Sequence, residues 1–151
     1  MKLQTKYFGE IEYDADDILS FPKGLYGFDT EQEFLLIPFD GSEATLLCLQ
    51  SRKTPALAFI LMDPFALQPD YMPVLQKSEL TELGVKDSGD LCYYVMCVVK
   101  DPIGDSTVNL KCPVAINPET RVSAQVILDS DTYGMRHLLS GLKNGGRAIE
   151  C

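Results

Sequence analysis

Apolar and polar residues alternate with a period of two along much of this chain, the pattern of a β-strand with one face on a core. In residues 2–8, Leu3, Thr5 and Tyr7 share one face, and Lys2, Gln4 and Lys6 share the other. Residues 10–13 alternate again, so Gly9 is expected to be a bulge or a turn. Residues 18–21 form a short apolar piece ended by Pro22, and a glycine-flanked loop follows, Gly24-Leu25-Tyr26-Gly27-Phe28. Strands at 34–39 and 45–50 are joined by Asp40-Gly41-Ser42-Glu43, a hairpin-like connection. The continuous apolar run 56–62 predicts a strand buried on both faces, stopped by Asp63-Pro64. Residues 71–75 suggest a short strand that Pro73 confines to an edge or bulge.

The clearest strand signal is 91–100. There Cys92, Tyr94, Met96 and Val98 alternate with Tyr93, Val95, Cys97 and Val99, and two apolar faces predict a central position. Further strands are expected at 107–113, 114–117 and 121–128, the last with Val122, Ala124, Val126 and Leu128 on one face, and 129–131 is expected to turn. One short helix is credible: Ser78 as its cap, Glu79 and Glu82 in its first turn, Leu80 and Leu83 on one face, Gly84 at its end. Met135, Leu138, Leu139 and Leu142 also follow helical spacing, and Lys143 to Arg147 have the composition of a frayed end. Nine prolines and eleven glycines break the chain into such short pieces, a layout that predicts an all-β barrel or sandwich. At 151 residues the chain fits one domain, 1–151, able to build its own core without metal or disulfide.

Charge changes the picture more than composition does. The chain carries 13 basic and 22 acidic residues, a net −9, which disfavours direct contact with nucleic acid. Residues 1–50 hold 3 basic and 10 acidic residues, hence −7, centred on Glu10, Glu12, Asp14, Asp16 and Asp17. Such a stretch is either a solvated face or a docking patch for a cationic partner. Lys2 leads into alternating polar residues rather than an apolar signal region, and no stretch is long and apolar enough to span a membrane. With an odd number of cysteines, five, the expectation is reduced thiols in the cytoplasm.

No motif spells out catalysis. A cysteine nucleophile needs an activating base, and His137 is the only histidine. Cys112 with His137 is the one pairing to weigh; Cys48, Cys92, Cys97 and Cys112 are otherwise expected to fill core space, and Cys151 to be exposed. Cys92 and Cys97 lie an odd number of residues apart, on opposite faces of a strand, so they make no zinc pair, and no metal or other cofactor is expected. The neutral strand residues Gln50, Asn109, Asn117 and Gln125 suit buried hydrogen bonding or partner recognition better than proton transfer.

The order of short motifs goes further. Phe21-Pro22-Lys23-Gly24-Leu25-Tyr26-Gly27-Phe28 resembles an F-x-x-G-L-x-G-F segment, and Pro38-Phe39 and Leu49-Gln50-Ser51 follow in family order. Asp63-Pro64 and Pro69-Asp70-Tyr71 resemble paired P…PDY elements. The block from Thr107 to Asn117 resembles T-V-N-L-x-A-P-[IV]-x-[IV]-N, and Gln125 to Leu128, Tyr133 and Arg136 resemble a closing Q-x-[IV]-L…Y-x-x-R. Together they are similar to the flagellar assembly factor family, FliW, across about residues 1–139, leaving 140–151 as a flexible tail. Tyr26 stands where that family usually has proline, and Cys112 where it has a small residue.

The resemblance implies an antiparallel, β-barrel-like domain with an extended 133–139 in place of the helix the spacing suggests; the run of short strands is expected to fold as a monomer when free. It implies a cytoplasmic switch that binds new flagellin and also binds the translational regulator CsrA, preventing repression of flagellin mRNA. The narrower alternative is a flagellin chaperone that touches no RNA regulator. The candidate partner-binding residues are Leu25, Tyr26 and Phe28 in the glycine-flanked loop, Asn109, Asn117 and Gln125 in the strands, Asp70 and Tyr71, and the acidic set Asp14, Asp16 and Asp17.

Overall fold

The computed structural model describes residues 1–39 and 46–141. The predicted hairpin connection at 40–43, Cys151 and most of the predicted tail lie outside that range. Its strands are β1 (Lys2–Gln4), β2 (Glu10–Glu12), β3 (Ile18–Ser20), β4 (Glu33–Pro38), β5 (Leu46–Ser51), β6 (Ala58–Met62), β7 (Cys92–Val98), β8 (Thr107–Val108), β9 (Val114–Ile116), β10 (Ser123–Gln125) and β11 (His137–Leu138). Two helices interrupt them: α1 (Pro64–Leu67), a single turn, and α2 (Lys77–Leu83). The fold is all-β in class and mostly antiparallel, and α2 is the one α-helix of the described residues longer than a single turn.

Among the described residues β1 and β2 pair only with each other, and Gly9, at φ +66°, makes the turn between them rather than a bulge. The other strands form one sheet in the order β10-β9-β7-β6-β5-β4-β3, with β8 also on β7 and β11 on β8. β7 is the fork: its first half carries β9, its end carries β8, and β6 lies on its other side. That explains its two apolar faces. Tyr93, Val95 and Cys97 enter one core with Leu67, Tyr71, Leu75, Leu83 and Val126. Tyr94 and Met96 pack against a second core of Leu19, Phe21, Leu25, Phe34, Leu49, Leu61 and Val114 inside the curl of the sheet.

The curl brings the two sheet ends together at one point. Ser20 and Val122 form an isolated parallel bridge, in which the Ser20 N–H donates to the Arg121 carbonyl at 2.9 Å. The sheet therefore approaches a barrel without closing into one.

α2 begins at Lys77, and its cap is Gln76, two residues before the predicted Ser78; the Gln76 N–H is held by Glu79 Oε1 at 2.8 Å. Gly84 ends the helix in the left-handed conformation, as its lack of a Cβ permits. Asn117 Nδ2 donates to the Leu83 carbonyl at 2.9 Å, satisfying one of the acceptors that a helix end leaves open. Gln50 is fully buried for a similar reason. It accepts from the Lys6 N–H and donates to the Pro55 and Leu57 carbonyls, tying two loops to β5.

Several elements differ from expectation. Residues 71–75 are not a strand, although Tyr71, Pro73 and Leu75 are buried and Met72 and Val74 exposed in strand-like alternation. Two of their donors are met by side chains: Tyr133 Oη accepts from the Met72 N–H, and Ser88 Oγ from the Leu75 N–H. The spacing of Met135, Leu138 and Leu139 does not make a helix. His137–Leu138 pair with β8, so the chain is extended there as the resemblance implies, but Leu139 already begins a 3-10 turn, Leu139–Gly141. Residues 140 and 141 are part of that turn. β6 is only partly buried along its first three residues, and Cys92 is exposed instead of filling the core, because it stands at the outer end of β7.

Glu31 is an enclosed carboxylate. It accepts hydrogen bonds from the hydroxyls of Ser51 and Thr54, and the Ser51 bond is the main reason its carboxyl lies below the usual range. A depressed folded-state pKa stabilises the fold at pH values above the unfolded carboxyl's value, and that contribution fades as pH falls through the folded value. Glu31→Gln should therefore lower stability near neutrality, by about 1–3 kcal/mol. It should also flatten the acid limb of the stability curve, read by urea unfolding between acid and neutral pH.

Candidate functional site

The glycine-flanked loop hangs from Phe21, which is fully buried and packs edge-on against Phe34 at 5.3 Å. The Gly24 N–H donates to the Phe21 carbonyl at 2.8 Å, closing a turn at φ +69°. A Cβ at Gly24 would stand 2.5 Å from the Phe28 carbonyl oxygen and 2.6 Å from Asp29 Cα, so only glycine lets the loop fold back this closely. Leu25 and Phe28 exchange backbone hydrogen bonds at 3.2 and 2.8 Å. This knuckle buries Leu25 in the inner core, presents Tyr26 at 56% exposure and leans Phe28 on Phe59.

One side chain ties the loop to the end of the sheet. Gln125 Oε1 accepts from the Tyr26 N–H at 3.1 Å, while its Nε2 donates to the Cys112 carbonyl at 3.3 Å. Leu25, Tyr26 and Gln125, placed in two regions by the sequence, thus share one site. Beside them lies a cavity of about 610 Å³ bordered by Lys23, Tyr26, Gln76, Glu79, Glu82 and Gln125. A smaller cavity of about 210 Å³ adjoins it over Pro22, Leu83, Val122, Ser123 and Ala124. Lys23 and Glu82 border both and are joined at 2.7 Å, a bond that raises the ammonium above its ordinary value. Both side chains are exposed, so this pair contributes little to stability. Partial burial, reinforced by Cys112 and Glu79, pushes the Tyr26 phenol upward.

The other predicted residues lie elsewhere. Asn117 is buried at the end of α2, with its Oδ1 accepting from the Glu119 N–H at 3.0 Å. Asn109 Oδ1 accepts from the Cys112 N–H, turning the chain after β8. Tyr71 is a core residue. Its hydroxyl donates to the Leu110 carbonyl at 2.7 Å, its ring meets Tyr133 at 4.7 Å, and burial pushes its pKa up. Asp70 is exposed and accepts from Gln68. Asp14, Asp16 and Asp17 are exposed together around a 3-10 turn, Ala15–Asp17, where Asp17 Oδ2 accepts from the Asp14 N–H at 3.0 Å. Asp16 shares a shallow hollow with Glu119 and Arg121.

Sequence reasoning missed Met72 and Val74, 71% and 65% exposed, which edge a groove of about 400 Å³ with Leu128 and Tyr133. It also missed Gln76, which borders this groove and the cavity beside Tyr26. The alternation at 71–75 carried that signal, since it set Met72 and Val74 apart from Tyr71 and Leu75.

Three buried thiols, Cys48, Cys97 and Cys112, do not have the environment of nucleophiles. Burial raises Cys112 and pushes Cys48 and Cys97 up to about 11, the opposite of what an attacking thiolate requires. His137 Nε2 accepts from the Gly134 N–H at 2.7 Å. No hydrogen bond joins it to Cys112 among the described residues.

What fold and site define is a curled, mostly antiparallel β-domain with one groove along the β10 edge and another beside the 71–75 segment. Residues 2–139 match the family described as FliW protein, and the chain belongs to that family. It is 40% identical over 139 residues to the flagellar assembly factor FliW of Geobacillus kaustophilus, covering 92% of this chain and 95% of that one. It is 36% identical to the one from Alkaliphilus metalliredigens, covering 92% and 86%. A solved structure described as the crystal structure of the flagellar assembly factor FliW superposes with a TM-score of 0.84 at 38% identity, covering 91% of this chain and 96% of that one.

Proposed function

We propose that this flagellar assembly factor works in the cytoplasm as a non-catalytic switch, binding unassembled flagellin and the translational regulator CsrA. Membership of the FliW family along nearly the whole chain is the observation that carries this reading. Two linked binding equilibria suffice: flagellin in the cytoplasm draws on the pool available to the regulator, and secretion of flagellin returns it. The exposed Asp14, Asp16 and Asp17 suit the basic surface of an RNA-binding protein. The groove beside Met72 and Val74 offers apolar contact for a flagellin segment. Among the described residues no helix is long and apolar enough to cross a membrane.

Tagged chain drawn from cells should carry both partners. Flagellin alone would reduce the role to that of a chaperone, and neither partner would end the proposal. In kinetics with purified regulator, association should slow as salt rises, because exposed charges are screened over about 8 Å at physiological ionic strength. The triple substitution Asp14→Asn, Asp16→Asn, Asp17→Asn should slow association about tenfold at low salt and leave flagellin binding unchanged. A salt-independent rate in the parent protein would refute the electrostatic role.

A further inference from the structure

We propose that the outer edge of β10 receives an extended peptide segment carrying a basic side chain, added as a further strand between α2 and the Gly24–Phe28 loop. The proposal goes beyond the switch described above and does not depend on the identity of either partner.

The argument starts at the seam. In a parallel pair each bonded residue reaches the two neighbours of the residue opposite. Opposite Val122, Ser20 therefore accounts for the Arg121 carbonyl and the Ser123 N–H. The next residue in line on that strand is Pro22, two positions on. Proline has no N–H to give the Ser123 carbonyl. The Pro22 carbonyl is in turn taken by Gln32 Nε2 at 3.0 Å. The seam stops there for a covalent reason.

The register of β10 on β9 settles what is left over. Val122 bonds across to Asn117 and Val126 to Pro113, so Val122, Ala124 and Val126 turn their backbone groups toward β9. Ser123 and Gln125 turn theirs the other way; Ser123 is buried at 1% exposure, so Gln125, only partly buried, is the one of the two that solvent reaches. Among the described residues no strand continues that edge beyond the bridge. The Tyr26 backbone comes alongside yet bonds the Gln125 side chain rather than its main chain.

The two adjoining cavities, about 210 and 610 Å³, together follow this edge from Val122 to Val126. The space is a slot with an edge strand as its floor, α2 as one wall and the loop as the other. Added strands take affinity from such main-chain groups and specificity from alternate side chains. Here the walls favour a cation. Glu79, Glu82 and Asp29 border the larger cavity against one base, Lys23. Lys23 already bonds Glu82 across the slot, as an incoming basic side chain would.

The test uses the full chain, immobilised and panned with a displayed random heptapeptide library. Enriched peptides should carry lysine or arginine between β-branched or apolar residues. A synthetic copy of the most enriched one, titrated by calorimetry, should lose about tenfold in affinity when N-methylated at alternate positions and little at those between. Glu79→Gln with Glu82→Gln should weaken it about fivefold, and Lys23→Ala should tighten it about threefold by freeing Glu82. Four results would each overturn the proposal: no enrichment, enriched peptides without a basic residue, N-methylation losses without alternation, or affinity indifferent to the carboxylates.

Discussion

Gly24→Ala should cost about 3 kcal/mol or more, and should lower the melting temperature by about 6–12 °C. Two terms combine. The left-handed conformation at φ +69° penalises any Cβ, by about 1–2 kcal/mol. The added atom would also meet backbone, the Phe28 oxygen at 2.5 Å and Asp29 Cα at 2.6 Å, and backbone cannot swing aside as a flexible side chain can. Gly27 is the internal control. Its φ of +85° is as unusual, but a Cβ there would meet nothing within 4 Å. Gly27→Ala should therefore cost only the conformational term, about 1–2 kcal/mol. Thermal unfolding of both variants checks the pair, and equal losses would mean that crowding at Gly24 is relieved by movement of the loop.

Phe21→Ala should cost about 3–5 kcal/mol. The ring is fully buried where β3 hands over to the loop, and it packs against Phe34 inside the curl. Truncation leaves a hole lined by residues of opposite sheet ends, with little freedom to collapse. Phe28→Ala is the comparison: its ring is 39% exposed and rests on Phe59, so about 1–2 kcal/mol is expected. Urea unfolding of both should separate them clearly. Similar losses would place the stabilising contact on the outer face of the loop.

The legible parts of this fold were those where local pattern and tertiary surroundings agree. β7 could be read because both of its faces meet a core, and the end of α2 because Gly84 has one obvious use. Residues 71–75 show the limit: their alternation is real, but pairing depends on a neighbour that the segment itself does not encode, and side chains of Tyr133 and Ser88 stand in for one. The Met135–Leu139 spacing suggested a helix, whereas β8 offered a pairing edge. Within the site, the Leu25–Tyr26 loop was visible in its glycines, and Gln125 as a polar strand residue. That the two touch followed only from the curl of the sheet. Asn109, Asn117 and Tyr71 show the converse, since each polar group is occupied in holding the fold.

The single bridge between Ser20 and Val122 has a kinetic consequence. From β3 to β6 each strand pairs with the next in sequence, so hairpins can form while most of the chain is still unordered. The bridge instead joins residues about a hundred positions apart, and its closure entropy must be met before its one contact gives anything back. Folding should thus proceed from the hairpins outward, with the seam joining last, and the native protein should open first along the same line.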